Sequence, residues 1–452
     1  MKAYENLIKR MIDNQEETLN IYNDIREELR IRKCVFEGEP FKIALVPMIL
    51  KKKEADLLGS VSEILYRIIN KIIKASDHDK NMAPYFSYKD IPEEWLSVDK
   101  GYKDHAVITR LDALYDGKNL KFLEFNTDNP GGKGWNDIFE EIVLYHHAYR
   151  ELFPSGMSLH KKSVVHGLFK AVIKSSSDFW GQGEKPSVAI IDYRESQYRE
   201  DGEIVKDYFL SKNIHAGLMD PRDLYYINDR LKYKGTVYNT VIRCVKSQEF
   251  LEHPKELEGF INAYMKGHVC MVNSFKSLLG SEKSMLAMLC KMSFHHYFTE
   301  KEKDVIRNYI PWTFTLGDRS VFTREGKEME TKSYLIKNQE NFVIKPSWGY
   351  GGKGVILGKH MSSDKWQEAV YKYGGETAWI AQEYVEIPKI EIPVINNGHV
   401  EISSKYFNLS PYVFGGKYVG CLGRISDLPV INVSTGGGII PVMKEEESEQ
   451  KR

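Results

Sequence analysis

Residues 110–134 read RLDALYDGKNLKFLEFNTDNPGGKG, and the reading of this stretch decides the fold. Ile108, Arg110, Asp112 and Leu114 alternate with Thr109, Leu111 and Ala113. A second run, 120–126, follows the turn residues Asp116-Gly117-Lys118-Asn119, which predicts a β-hairpin. Side chains alternate in a strand, so Arg110 and Asp112 share one face, as do Glu124 and Asn126. Whether the two faces coincide depends on the loop. A three-residue loop, Gly117-Lys118-Asn119, with a bulge glycine sets Asp112 against Glu124 and Arg110 against Asn126; a two-residue loop sends the pairs to opposite sides. In the first register two carboxylates, an amide oxygen and a guanidinium converge. Mg²⁺ takes hard oxygen ligands of this kind while bridging nucleotide phosphates, and arginine grips anions bidentately. For Arg110 and Asp112 alone, a solvated hairpin face with an ordinary ion pair is an equal reading. It serves less well for Glu124 and Asn126, which interrupt the apolar Phe122-Leu123-x-Phe125 and run into a Pro-Gly-Gly turn.

The rest of the composition narrows the class. A chain of 452 residues has a length prior of about three domains. Lys plus Arg and Asp plus Glu are 63 each, so no basic excess points to nucleic acid or an anionic membrane. The first twenty residues are charged throughout and lack the apolar centre of a signal peptide, and no run approaches a membrane helix. Cys34, Cys244, Cys270, Cys290 and Cys421 lie far apart with no CxxC, which argues against a disulfide framework or zinc site. A cytoplasmic protein with reduced thiols is the expectation.

Residues 3–33 read as one charged amphipathic helix serving packing or an oligomer surface, and 57–75 as another helix. A helix is expected over 137–151. His146 and His147 are neighbours there, diverge on a helix, and read as structural. After a helix over 160–181, short apolar strands at 188–192, 237–243 and 269–275 alternate with helical sequence, predicting a parallel α/β unit over 186–276. Its first turn has no glycines and so lacks the dinucleotide fingerprint. Arg243, near a strand end, is either a holder of a substrate carboxylate or an ordinary surface arginine. A helix over 278–292 carries Lys283 near its start, where a lysine is unfavourable to the helix dipole; it is either a ligand group or a solvated side chain.

A second informative stretch is Asn341 to Gly358, NFVIKPSWGYGGKGVILG. The strand FVIK places Lys345 in an apolar run, and the glycine-rich loop 349–354 separates it from a second strand. Glycines let backbone amides approach phosphate and let a loop close. This is not a Walker A loop, because a strand follows it and no Gly-Lys-Ser/Thr is present. A lysine buried beside such a loop strengthens the phosphate reading, because an unpaired buried ammonium is costly. WIAQEYV, 379–385, reads as a strand whose end, Gln382 and Glu383, is placed to meet an adenine edge or merely decorates a sheet edge. Strands are expected near 403–407 and 413–420, polar and glycine groups return at Gly423-Arg424-Ile425 and 432–438, and a charged tail follows.

Together these motifs resemble the ATP-grasp superfamily, and more nearly its circularly permuted branch, which includes glutathionylspermidine synthetase and eukaryotic-type glutathione synthetase. In that branch the metal-binding strands precede the glycine loop, as here. The resemblance implies an α+β fold in which mixed and antiparallel sheets sandwich ATP, with an inserted α/β domain. It implies Mg²⁺ on Asp112, Glu124 and Asn126, and phosphate-contacting arginines at Arg110 and Arg424. ATP would lie against Lys283, Lys345, the lid glycines Gly349, Gly351, Gly352 and Gly354, and the adenine hinge Gln382, Glu383, Tyr384 and Val385. Where glutathione synthetases carry a further metal-binding glutamate, this chain has Ser347-Trp348-Gly349, which favours the glutathionylspermidine-type ligand set. No amidase-like cysteine domain precedes the ligase region.

The domain reading is an N-terminal helical region at 1–99, a first ATP-grasp part at 100–185 and the inserted unit at 186–276. A second ATP-grasp part with the lid spans 277–443, and 444–452 is a disordered tail. The resemblance implies an ATP-dependent carboxylate–amine ligase working through an acyl phosphate. Its substrates would be small molecules of the amino-acid, peptide or polyamine class, without nucleic acid or membrane partners, and a homodimer is compatible with the N-terminal helices. The alternatives are an ATP-binding sensor or scaffold of the same fold without catalysis, and an α/β binding module with a fortuitous glycine hairpin.

Overall fold

The computed structural model describes residues 2–87, 90–146, 158–160, 162–323, 326–349, 351–433 and 436–446. His147, the end of the helix expected to reach residue 151, Tyr350, Ser434, Thr435 and residues 447–452 lie outside them; the first three residues of the tail expected over 444–452 belong instead to the strand Gly438–Glu446.

The hairpin forms from the strands Ile108–Tyr115 and Leu120–Asn126, but its register arises by a different route from the loop argument. Tyr115 pairs with Leu120, so the turn holds four residues rather than three. Asp116 closes it, with Oδ1 accepting the backbone N–H groups of Lys118 at 2.8 Å and Asn119 at 2.6 Å. That register alone would set Asp112 against Leu123. The ladder shifts by one between Asp112 and Ala113, leaving Leu123 as the extra residue of a β-bulge. Asp112 therefore pairs with Glu124 and Arg110 with Asn126, and the four polar side chains share a face.

The hairpin forms the edge of an eight-stranded sheet. Beside it lies the long strand His399–Phe414, then Lys417–Ser426, Gly438–Glu446 and Met48–Leu50. Only the last of these pairings is parallel. Register places Tyr412 directly opposite Arg110, and Asn408 opposite Arg424. The site face is thus built from strands almost three hundred residues apart in the chain. A second, antiparallel sheet runs in the order Thr313–Thr315, Trp379–Glu383, Phe342–Pro346, Ile356–Leu357, over a small core that includes Phe314, Leu335 and Trp366. The two sheets face each other across a cleft.

The expected α/β unit is present as a parallel sheet, Cys270–Val272, Thr240–Arg243, Val188–Ile191 and Ala216–Met219. The strand expected over 237–243 is two. Thr236–Tyr238 joins a small antiparallel ribbon and Thr240–Arg243 joins the parallel sheet. Asn239 redirects the chain between them, its side chain accepting from Ser187 N at 2.8 Å and donating to Lys185 O at 3.2 Å.

Two other expectations are corrected. The N-terminal helix is two, Lys2–Asp13 and Gln15–Ile31. Asn14 leaves the helical region (φ −115°) and its amide donates to Arg10 O at 3.0 Å, the local competition by which asparagine breaks helices. The apolar stripe Leu7, Met11, Ile21, Ile25 and Leu29 is buried within the chain, in keeping with the packing alternative. The helix expected over 278–292 is a 3₁₀ segment, Phe275–Ser281, followed by Ser284–Cys290. Glu282 adopts an extended conformation at the break and is held by Ser87, whose N–H donates to both carboxylate oxygens (2.9 and 2.8 Å) and whose hydroxyl donates at 2.6 Å. None of the five cysteines forms a disulfide. No helix among the described residues is long and apolar enough to cross a membrane.

Candidate active site

The cleft between the large sheet and the second sheet has a volume of about 570 Å³ and is lined by Arg110, Asp112, Glu124, Asn126, Lys283, Lys345, Gly349, Gly351, Gly352, Gln382, Glu383, Tyr384, Val385 and Arg424. Of the residues that the resemblance assigns to the ATP and metal site, Gly354 alone does not line it, and Arg243, the candidate for a substrate carboxylate, is buried away from it.

One wall is the polar face of the large sheet. Asp112 sits between two guanidiniums, Oδ1 accepting from Arg110 Nε at 3.2 Å and Oδ2 from Arg424 Nη2 at 2.7 Å. Burial pushes the Asp112 carboxyl up, and Arg424 and Arg110 together overcome that and hold it well below the usual carboxylate range. Arg424 is fixed by Asn408 Oδ1 at 3.2 Å and Ser410 Oγ at 3.1 Å. Arg110 Nη1 donates to Gly131 O at 3.2 Å, and the Tyr412 hydroxyl donates to the same carbonyl at 2.7 Å. Asn408, Ser410 and Tyr412 were not foreseen, although their two-residue spacing in NLSPYV puts three hydrogen-bonding side chains on one face of a strand.

The facing wall supplies two lysines. Lys283 Nζ donates to Gly349 O at 2.7 Å and lies 3.4 Å from Glu124 Oε1, tying the glycine loop to the hairpin. Its backbone is anchored below: Lys283 N donates to Ser347 O at 2.8 Å and Ser284 N to Ser347 Oγ at 3.1 Å. Ser347 is fully buried and engaged with Glu282 and Ser284. Lys345 Nζ donates to Gln382 Oε1 at 2.7 Å, and Gln382 Nε2 donates to Thr313 Oγ1 at 3.1 Å. The Gln382 amide is therefore occupied in holding Lys345, where the sequence suggested it could read an adenine edge. The backbone N–H groups of Glu383 and Tyr384 are also taken, by Trp312 O and Asn341 O. Burial lowers Lys345 to about 8, a shift that Glu124 offsets in part and Lys283 deepens.

The residues present fit a magnesium ion. Glu124 and Asn126 stand on the shared face, and Asn126 Nδ2 is buried with no hydrogen-bond partner among the described residues. Turning that amide by half a rotation presents its oxygen at the same place. Two carboxylates and one amide are too few for a closed protein cage, and among the described residues no group of three His, Cys, Asp or Glu is placed to hold a metal. Mg²⁺ characteristically takes a small carboxylate set and completes its shell with waters and phosphates.

The loop over the cleft packs down at specific points. A side-chain carbon at Gly352 (φ +73°) would lie 2.2 Å from Val430 Cγ1, and one at Gly351 would lie 3.1 Å from Asn432 Nδ2. The loop has settled against the late segment around residues 430–432, which also lines the cleft.

Residues 113–382 match the sequence profile of the circularly permuted ATP-grasp family, more than half of the chain. The chain belongs to the circularly permuted ATP-grasp family. Within this ATP-grasp match lie Glu124, Asn126, both lysines and the glycine loop, while Arg110, Asp112 and Arg424 lie outside it. Among solved structures, the apo form of a glutathione synthetase-like effector, GSS30 of Globodera pallida, is similar in fold: TM-score 0.62, 11% identity, covering 94% of this chain and 97% of that one. A protein named glutamate–cysteine ligase 2-2, from Frankia casuarinae, is 27% identical over 147 residues, which is 30% of this chain. The matched part spans 17% of that relative's length. The structural likeness establishes the ATP-grasp fold; a glutathionylspermidine-type assignment does not follow from it.

Proposed function

We propose that the chain is an ATP-dependent carboxylate–amine ligase. The observation that carries this reading is the convergence of Arg110, Arg424, Lys283 and Lys345 with Asp112, Glu124 and Asn126 in one cleft beneath a glycine loop. Phosphoryl transfer asks a protein for positioning and charge neutralisation more than for covalent help, and these groups supply both.

In this reading the adenine end lies by Val343, Leu357 and the hinge, and the phosphates point toward the arginines and lysines. Asp112, Glu124 and Asn126 would hold Mg²⁺, which when bound offsets phosphate charge. A substrate carboxylate oxygen, oriented by Arg110, attacks the γ-phosphorus as the bond to the β,γ-bridging oxygen breaks and ADP departs. The amine nitrogen then attacks the acyl carbon, the C–O bond to phosphate breaks, and the amine proton passes to solvent. Lys283, bonded to Gly349 O, links the loop to the site, and a closed loop keeps water from the acyl phosphate. The name of the Frankia relative puts amino acids among the candidate substrates.

Calorimetric titration of ATP with and without magnesium, on wild type and Glu124→Ala, tests the site. Magnesium-dependent binding weakened in the variant is expected, followed by ADP release that requires both an acid and an amine. ATP binding without any such release would leave a sensor or scaffold. Absence of binding would remove the whole reading.

A further inference from the structure

The cleft does not end at the phosphate-facing groups. Beyond Gly131 and Gly132 it continues into a branch walled by Phe36, Phe41, Trp135, Phe139 and Tyr198. The rings interlock: Phe41 meets Trp135 at 4.8 Å and Phe139 at 5.3 Å, both edge-on, and Tyr198 meets Phe36 at 5.5 Å and Trp135 at 6.1 Å. The Trp135 indole N–H donates to Lys33 O at 3.0 Å; Trp135, Phe41 and Phe139 are buried and back the wall, and the open aromatic surface is that of Phe36 and Tyr198. Among the other charged lining residues, Lys246 Nζ lies 4.0 Å from Glu249 Oε1, and Asp201 and Lys133 are satisfied from elsewhere. Asp201 accepts the backbone N–H groups of Gly132, Lys133, Gly134 and Trp135, and Lys133 Nζ donates to Asn129 Oδ1 and Pro130 O. Tyr198 at the rim is 46% exposed, which leaves aromatic surface for an occupant to cover.

The branch begins beside the reacting centre. Gly131 O accepts from Arg110, and a side-chain carbon at Gly131 would lie 3.8 Å from the Tyr198 ring. The aromatic wall therefore starts one residue's width from the guanidinium. Arg110 and Arg424 attract a carboxylate and repel an ammonium, so the substrate that reaches from them into the branch is the acid. We infer that the acid carries an apolar group of aromatic size, which fills this branch while its carboxylate faces Arg110. This rests on the ligase reading and adds the class of acid to it.

The test uses the full chain with ATP, magnesium and hydroxylamine in place of the amine. The balance is acid plus ATP plus hydroxylamine giving hydroxamate, ADP and phosphate. With 3-phenylpropionate, hydroxamate formation (kcat/KM) is expected to exceed that with propionate or glutarate by roughly thirtyfold, the effect of burying one ring. Tyr198→Ala and Phe36→Ala should each raise KM for 3-phenylpropionate about tenfold and leave nucleotide affinity unchanged. Calorimetric titration of 3-phenylpropionate onto the chain loaded with magnesium and a non-hydrolysable ATP analogue reads the branch apart from catalysis. Preference for glutarate, or turnover indifferent to both substitutions, overturns the inference while the ligase stands. Nucleotide bound without hydroxamate from any acid removes the ligase reading, and the inference with it. Failure of the loaded chain to bind 3-phenylpropionate overturns the inference by itself.

Discussion

Lys345 Nζ and Gln382 Oε1 lie 2.7 Å apart on adjacent strands, in a position where the lysine is 9% exposed. A neutral amide is weak compensation for a buried ammonium, and burial accordingly lowers Lys345 from 10.5 to about 8. If bound phosphate requires the ammonium form, the nucleotide must recapture a proton once the pH exceeds that value. Affinity for magnesium–ATP is expected to be flat below about pH 8 and to fall up to about tenfold per unit above it. Calorimetry in two buffers of different ionisation heat should show uptake approaching one proton per nucleotide at the alkaline end. Affinity and uptake that ignore pH there would remove Lys345 from the phosphate site.

The same depression has a consequence for stability. The folded-state value lies below the unfolded one, so between pH 8 and 10.5 the folded chain holds fewer protons and this group's contribution rises with pH. Below pH 8 the buried ammonium costs the fold about 3 kcal/mol. Lys345→Met removes that cost, and should leave the urea midpoint at neutral pH unchanged or raised while nucleotide affinity falls. A variant less stable by more than about 2 kcal/mol would show that the ammonium supports the fold.

Asp112 and Glu124 share a face but not a role in the fold. Asp112 separates two half-buried guanidiniums, whereas Glu124 makes one ion pair at 3.4 Å with its side chain 29% exposed. Asp112→Asn should cost about 3 kcal/mol in urea unfolding, because two cations lose their counter-charge. Glu124→Gln should cost about 1 kcal/mol or less. Both should weaken magnesium–ATP. Equal losses of stability would contradict the arrangement in which Asp112 is the structural hub.

What was legible in the sequence followed from local pattern. Alternation in 108–126 gave the hairpin but left its register open; the alternative that paired Asp112 with Glu124 has the right pairing by the wrong loop, because a four-residue turn and a bulge at Leu123 cancel. The parallel unit was readable from its short apolar strands. Roles fixed by distant partners were not. Arg243 is neither a surface arginine nor a substrate holder: it is buried, and its Nη2 is bonded to Asp128 Oδ1 at 2.7 Å, across 115 residues of sequence. Phe36 ends the two-residue strand Val35–Phe36 and Phe41 follows its partner Glu39–Pro40, strands too short for alternation to show, so nothing local marked them as cleft residues.

The glycine loop offers a last test, at Gly352. Its φ of +73° is costly for a residue with a side chain, and a Cβ there would overlap Val430 Cγ1 at 2.2 Å. Gly352→Ala should therefore keep the loop from settling, and weaken nucleotide about tenfold. Global stability should change by only about 1 kcal/mol, since the loop carries little core. Val430→Ala in the same chain removes the overlap but not the backbone strain, which is worth about 1–2 kcal/mol for a side-chain-bearing residue. The double variant is thus expected to recover part of the affinity. If Gly352→Ala binds magnesium–ATP as tightly as wild type, contact between the loop and Val430 has no part in holding nucleotide.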